Sequence, residues 1–409
     1  MRILHTSDWH LGRSLLGRKR YEEFEAFLAW LGDIVELEEI EVLLVSGDIF
    51  DNNTPSNRAQ QLYYRFLYRV AQSSCRHVIL TAGNHDSPSF LDAPREVLRF
   101  INVYVVGSIG EDCADEVILL RDANGEPELI VCAVPYLRDR DIRNVDTGES
   151  LEDKERKIIE GIREHYHQVC ALAEQMRDSI GKPIPIVGMG HLFAAGGSSV
   201  KGDGVKDLYV GSLAHVGIDV FPSTIDYLAL GHLHTAQLVG GNECYRYSGA
   251  PLAMGFSDAG QEKCVCKVEL LENGPMVTAL PVPVFQVLQS ITGDWTAISE
   301  GLQKLITAEQ NAWVEINYEG AEIMTDLRER IYEIVQGTSI DVLRIGNNRI
   351  LDLSMANISD GEILNELDID EVFLRCLDLN EVPEYQREEL WMTYREATAS
   401  LEEEDLMAE

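Results

Sequence analysis

Two hydrophobic patterns alternate along the first 240 residues. Short apolar, β-branched-rich runs occur at the N-terminus and at residues 41–45, 77–81, 185–189 and 226–230. They predict buried strands. Between the first two, Phe24, Phe27, Leu28, Leu31, Ile34 and Val35 recur at helical spacing and predict a helix over 21–37. Strand, helix and strand make a βαβ unit with a right-handed crossover. A second helix is predicted from Pro55 to about Ala71, with Thr54 as N-cap and Pro55 at the first helical position. Its Leu62, Tyr63, Tyr64, Phe66, Leu67 and Tyr68 cover more than one face. Such a helix is buried on two sides, the second side being covered by another subunit or by its own chain. Further strands are predicted at 103–106, 117–120 and 129–134, a long helix at 151–180, and a strand-rich stretch at 244–284. His165 and His167 on the long helix point to different faces and are assigned to structure.

Past Pro281-Val282-Pro283 the character changes. Strands at 284–289, 313–318 and 340–345 with helices at 296–307 and 323–336 predict a small α+β domain. Residues 385–401 place Leu390, Trp391, Tyr394, Ala397 and Leu401 on one stripe, ahead of the acidic run Glu402–Asp405. A terminal amphipathic helix needs a cover, either its own chain or a partner helix. The domain boundaries expected are 1–283, 284–378 and 379–409.

The chemistry sits just beyond the strands. In order come Asp8-x-His10, Gly47-Asp48, Gly83-Asn84-His85-Asp86, Gly190-His191 and Gly231-His232-x-His234. In the last four a glycine precedes the ligand type, where it lets the backbone turn sharply. Parallel α/β sheets bring strand ends to one edge, where ligands bind. Asp8, His10, Asp48, Asn84, His191, His232 and His234 are too many O and N donors for one tetrahedral zinc. They suit two divalent ions sharing a bridging carboxylate, and favour manganese, iron or zinc over calcium. Two ions about 3.5–4 Å apart can clamp both oxygens of an in-line phosphoryl displacement. His85 lies on the other side of the backbone from Asn84 and is free to act on substrate.

These motifs match, in order, those of calcineurin-like metallophosphoesterases. The opening Met-Arg-Ile-Leu-His-Thr-Ser-Asp-Trp-His-Leu-Gly, with Tyr209–Leu213 and Tyr247–Pro251, resembles more narrowly the SbcD-type nuclease subunits. The resemblance implies a sandwich of mixed β-sheets flanked by helices, with an α+β capping domain that helps choose DNA and a C-terminal helix. It implies that Asp48 bridges two ions, expected to be manganese, with Asp8, His10 and His234 on one and Asn84, His191 and His232 on the other. His85 is then catalytic, stabilising charge or protonating the leaving 3′ oxygen, and Asp86 is expected to hold its tautomer. Relatives often carry a further histidine near the position of Asp51, which this chain lacks. The resemblance also implies a homodimer, and an SbcC-type coiled-coil ATPase at the terminal helix. The implied activity is exonuclease action on duplex ends and hairpin opening, in DNA repair, recombination and replication.

Charge changes this picture. The formal net charge is −35, which argues against DNA binding by a basic surface alone. Bound cations or a partner's surface would reconcile acidity with a polyanionic substrate; a saline habitat would account for the acidity separately. Against the trend, Gly12–Arg20 carries Arg13, Arg18, Lys19 and Arg20 and no acid. It is expected to hold a nucleic-acid backbone, or to be a solvated loop. Gly196–Gly204 is flexible by composition. His5, His77 and His215 are assigned to packing. Eight scattered cysteines fit a reducing cytoplasm, and neither a run of about 18 apolar residues nor a signal peptide is read in the sequence. A phosphatase or small-nucleotide phosphodiesterase on the same fold is the alternative. A non-catalytic scaffold would show degenerate ligands, and none of the seven is missing.

Overall fold

In the computed structural model, residues 1–110, 112–142, 150–194, 216–320, 324, 326–347 and isolated positions between 373 and 395 are described. The segments 196–204 and 209–213, His215 and most of the terminal helix lie outside them. The chain divides into two compact units: Met1–Ser290 with Gln310–Val314, and Ile291–Glu309 with Glu315–Glu409.

The first unit is built on two six-stranded sheets. One runs in the order Gly274–Pro281, Cys264–Leu271, Arg2–Thr6, Val42–Ser46, His77–Thr81, Val103–Val106. Its last four strands are parallel, and the first two pair antiparallel. The other runs Gln237–Val239, Asn242–Tyr247, Tyr227–Gly231, Ile186–His191, Pro127–Ala133, Val117–Arg121, with its four inner strands parallel.

Side-chain alternation explains why the strands read as continuous apolar runs, since each is buried on both faces. Val42 and Leu44 join Ile3, Ile79, Val131, Met189 and Ala229 in the core between the sheets. Leu43 and Val45 point the other way, under the helices Tyr21–Leu37 and Asn57–Ala71 with Phe24, Phe27, Leu67 and Val70. The second sheet's outer face packs Ile130, Ile186 and Leu228 against Ile162, Tyr166 and Val169 of the helix Leu151–Ile180. The result is a four-layer helix–sheet–sheet–helix sandwich.

Two local expectations change. The second helix starts at Asn57, not Pro55, because Ser56 is the residue whose hydroxyl accepts the Ala59 N–H; Thr54 instead gives its own N–H to Asn52. On that helix Leu62, Tyr63, Phe66 and Leu67 are buried in the chain's own core, and among its large apolar side chains Tyr68 is the one widely exposed, at 66%. Its buried aromatics, Tyr63 and Phe66, are therefore covered by its own chain, while Tyr68 is left at the surface.

The second unit centres on a three-stranded sheet, Val287–Gly293, Ala312–Tyr318, Ile340–Asn347, with the helices Trp295–Thr307 and Leu327–Val335. From the terminal stripe, Trp391 and Tyr394 pack on Phe373, whose ring lies 4.0 Å from that of Tyr394 and nearly parallel to it.

Candidate metal centre

The five ligand-bearing strand ends divide between the sheets. Arg2–Thr6, Val42–Ser46 and His77–Thr81 lie side by side in one, Ile186–His191 and Tyr227–Gly231 in the other. The loops past them are laced together. Asp8 N–H donates to Gly47 O, His10 N–H to Asp48 O and Leu11 N–H to Ile49 O, each at about 3 Å. Across the sheets, Ser46 Oγ donates to Ala229 O at 3.0 Å. The His232 N–H donates to Asp8 Oδ1 at 2.9 Å.

Of the four glycines expected to permit sharp turns, Gly47 does so and the other three have a different job. Among Gly47, Gly83, Gly190 and Gly231, only Gly47 has a left-handed φ, +80°. Gly231 supplies space: a Cβ there would sit 1.8 Å from Ser46 O. The left-handed turns fall on the ligand types themselves, at Asp8 (54°), His10 (47°), Asp48 (50°) and His232 (103°). Such φ values are uncommon for non-glycine residues and mark strained, functional backbone.

Asp48 stands at the centre. Its Oδ1 accepts the His85 N–H at 2.9 Å. Its Oδ2 lies 3.3 Å from His191 Nε2 and 3.5 Å from His10 Nε2. His191 Nδ1 faces the Ser46 carbonyl at 3.0 Å. A carbonyl only accepts, so Nδ1 carries a proton, and Nε2 is directed inward, 3.0 Å from Asn84 Oδ1. His10 Nε2 and His234 Nε2 are 3.2 Å apart; two imidazole nitrogens at that distance share either a proton or a cation. Asp8, His10 and His234 form one group of ligand atoms within reach of a single ion, and Asp8, Asp48 and His191 another.

The charges say the same. Burial and then the neighbouring Asp48 charge keep Asp8 up at about 6, despite the pull of His191. For Asp48, burial is outweighed by the His191, His10 and His85 rings, which hold it well below the usual carboxylate range. Burial works against a charged His191, but Asp48 and Asp8 push it up to about 9, so this ring carries the compensating proton. Burial and the His191 charge drive His232 down to about 3. Positive charge is demanded between the carboxylates. A buried set of two acids, an amide oxygen and four imidazoles fits two divalent ions.

His85 lies beside this cluster, its ring edge-on to His10 with centroids 4.8 Å apart. Its Nδ1 is 2.8 Å from the Asp51 carbonyl oxygen. The expected role of Asp86 is corrected here. Its oxygens accept the N–H groups of Ile49, Phe50 and Gly83 at 2.8–3.1 Å. Asp86 ties two loops together, and the main-chain carbonyl of Asp51 faces His85 Nδ1 instead.

The basic segment also divides. Arg20 is fully buried and bidentate on Glu23, at 2.7 and 3.0 Å, so it cannot hold substrate. Arg13 reaches Asp51 Oδ1 at 3.2 Å and Met254 O, near the cluster. Arg18 and Lys19 lie on an exposed two-stranded ribbon.

Supporting residues had little sequence signal. Ser7 Oγ donates to Asp8 and meets Ser248 Oγ at 2.9 Å. Tyr247 OH donates to Leu192 O and accepts the Ala194 N–H, fixing the chain just past His191. The Tyr247–Pro251 stretch was visible as a resemblance, but not what it holds.

This fold and site define a calcineurin-like phosphoesterase, and the profile of that family, calcineurin-like phosphoesterase, matches residues 1–236. A second profile, described as a type 5 capsule protein repressor C-terminal domain, matches 284–381. The chain is 36% identical to the SbcD subunit of the nuclease SbcCD from Escherichia coli (strain K12), over 95% of this chain and 96% of that one. It is 38% identical to the Rhodobacter capsulatus protein of the same name, over 69% and 70%. The chain belongs to this family of SbcD nuclease subunits. It is a nuclease subunit, a metal-dependent phosphodiester hydrolase. Among the described residues, no helix is long and apolar enough to cross a membrane.

Proposed function

We propose that this chain hydrolyses DNA, degrading duplex ends and opening hairpins, as the cytoplasmic partner of an SbcC-type coiled-coil ATPase in DNA repair, recombination and replication. The relatives' shared name supports the partner. The proposed ions are two Mn2+. They supply an activated water and neutralise the phosphoryl oxygens. Asp8, His10 and His234 would hold one ion, Asn84, His191 and His232 the other, with Asp48 serving both. Asp48 Oδ2, placed between His10 Nε2 and His191 Nε2, is the observation that carries this reading.

His85 makes no claim on the ions in this scheme. With Nδ1–H donated to Asp51 O, the doubly protonated ring would give its Nε2 proton to the leaving 3′ oxygen and be left as the neutral Nδ1–H imidazole. Arg13, Arg18 and Lys19 steady the DNA backbone beside the ions. The domain at 284–378 helps choose DNA, and the helix within 379–409 docks the ATPase through residues such as Leu390 and Met392, which are exposed. A homodimer would use the Tyr68 side of the second helix.

Purified protein with Mn2+ is offered a hairpin oligonucleotide and a mononucleotide ester, with and without the ATPase. Cleavage of the hairpin, and its loss in His85→Leu at unchanged metal content, is expected. Turnover of the ester alone would favour a phosphatase. An unchanged rate in His85→Leu removes His85 from the chemistry.

A further inference from the structure

We infer that Cys113, Glu116 and His165 form a second, structural metal site, built for zinc or a similarly thiophilic divalent ion. It belongs to no part of the nuclease centre. Cys113 and Glu116 lie on one short turn, Cys113–Glu116, leading into Val117–Arg121, the edge strand of the second sheet. His165 comes from the long helix that covers that sheet. A thiol, a carboxylate and an imidazole offer ligand atoms all within 4.8 Å of one another.

The Glu116 side chain is 1% exposed. Its Oε2 meets His165 Nε2 at 2.8 Å, while Oε1, equally enclosed, has no hydrogen-bond partner. A buried carboxylate oxygen left unpaired is costly, and a protonated His165 would satisfy only the other oxygen. A cation would satisfy both.

The donor set chooses the ion. Thiolate with imidazole favours zinc and excludes magnesium and calcium, whereas the nuclease centre holds no sulfur. Thiolate and carboxylate together balance one divalent charge. Around tetrahedral zinc, ligand atoms stand about 3–4 Å apart, so the three groups need shifts below about 1 Å to close on an ion. Gln168, its Oε1 3.6 Å from Cys113 Sγ and its Nε2 tied to Glu164, flanks the remaining side. An ion here would staple the edge strand to its covering helix.

The test uses the full chain, stripped of metal and reloaded with Co2+. Thiolate ligation gives a sulfur-to-cobalt charge-transfer band that oxygen and nitrogen ligands cannot give. The band is expected in the parent and in His232→Ala, and should vanish in Cys113→Ser and weaken in Glu116→Gln, both checked for native circular dichroism. With zinc, the parent should hold one equivalent more than Cys113→Ser. No band in the parent, a band that survives Cys113→Ser, or equal zinc content would each overturn the site.

Discussion

Gly231→Ala tests how the two sheets make one centre. The added Cβ would lie 1.8 Å from Ser46 O and 2.9 Å from His191 Nδ1. Carbon and carbonyl oxygen approach no closer than about 3.3 Å, so the two strand ends must part by roughly 1.5 Å. Ser46 precedes the Gly47-Asp48 turn, Gly231 precedes His232, and Ser46 O is the acceptor that sets the His191 tautomer. Parting them therefore moves His232 away from Asp48 and releases His191 together. A misplacement of about 1 Å costs on the order of 100-fold in rate. Overpacking of this kind costs about 1–3 kcal/mol of stability, within what a domain of ordinary stability tolerates. Hydrolysis of duplex DNA with Mn2+ should fall at least about 100-fold, with weaker metal binding by calorimetry and a native circular dichroism spectrum. Gly260→Ala, where a Cβ meets nothing within 4 Å, is the control. Activity of Gly231→Ala within threefold of the parent would refute the reasoning.

Asp51→Ala removes the carboxylate 3.3 Å from His10 Nδ1 but keeps the carbonyl that anchors His85; metal affinity, by calorimetry, should fall about 10–100-fold, the usual loss when a ligand's outer partner goes. Arg20→Ala leaves Glu23 buried and unpaired, a loss of about 3–5 kcal/mol in denaturant unfolding, with no change in KM for DNA. His5, held neutral by burial, has its pKa lowered to about 3. Its unfolded value is about 6.5, so the unfolded chain takes up the proton first. His5 thus contributes stability above about pH 6.5, lost as pH falls toward 3 at up to about 1.4 kcal/mol per pH unit. His5→Gln should flatten the stability–pH curve between pH 6.5 and 4.5; an unchanged slope would show that His5 does not titrate in this way.

The strand-then-ligand rhythm was legible because strands buried on both faces read as apolar runs whichever sheet they join. That same property hid the partition between sheets. Nothing local in 185–191 or 226–234 says that His191 and His232 reach the site from a different sheet than Asp8 and Asp48. The helix at 151–180 was fully legible, being bounded by a serine N-cap and a left-handed Gly181. The orienting contacts were not, because main-chain oxygens leave no sequence trace. Asp51 O behind His85 and Ser46 O behind His191 would be carbonyls with any residue at those positions. Asp86 misled for the opposite reason: a carboxylate next to a histidine proposed as catalytic suggests a pair, yet its oxygens accept three main-chain N–H groups instead.

The four left-handed ligand residues fit this logic. Positive φ at Asp8, Asp48 and His232 turns the chain sharply just past a strand end. Each non-glycine residue so held costs about 1–3 kcal/mol, and glycine would relieve it but offers no ligand. The laced loops supply the compensation: Asp8 N–H on Gly47 O, His10 N–H on Asp48 O, Asp86 on three amides. All of these bonds except Gly83 N–H on Asp86 join two different loops, so these loops are held against one another. The loops of one sheet are thus locked to one another, His232 N–H on Asp8 ties the second sheet to them, and the strain is carried where the chemistry requires a side chain.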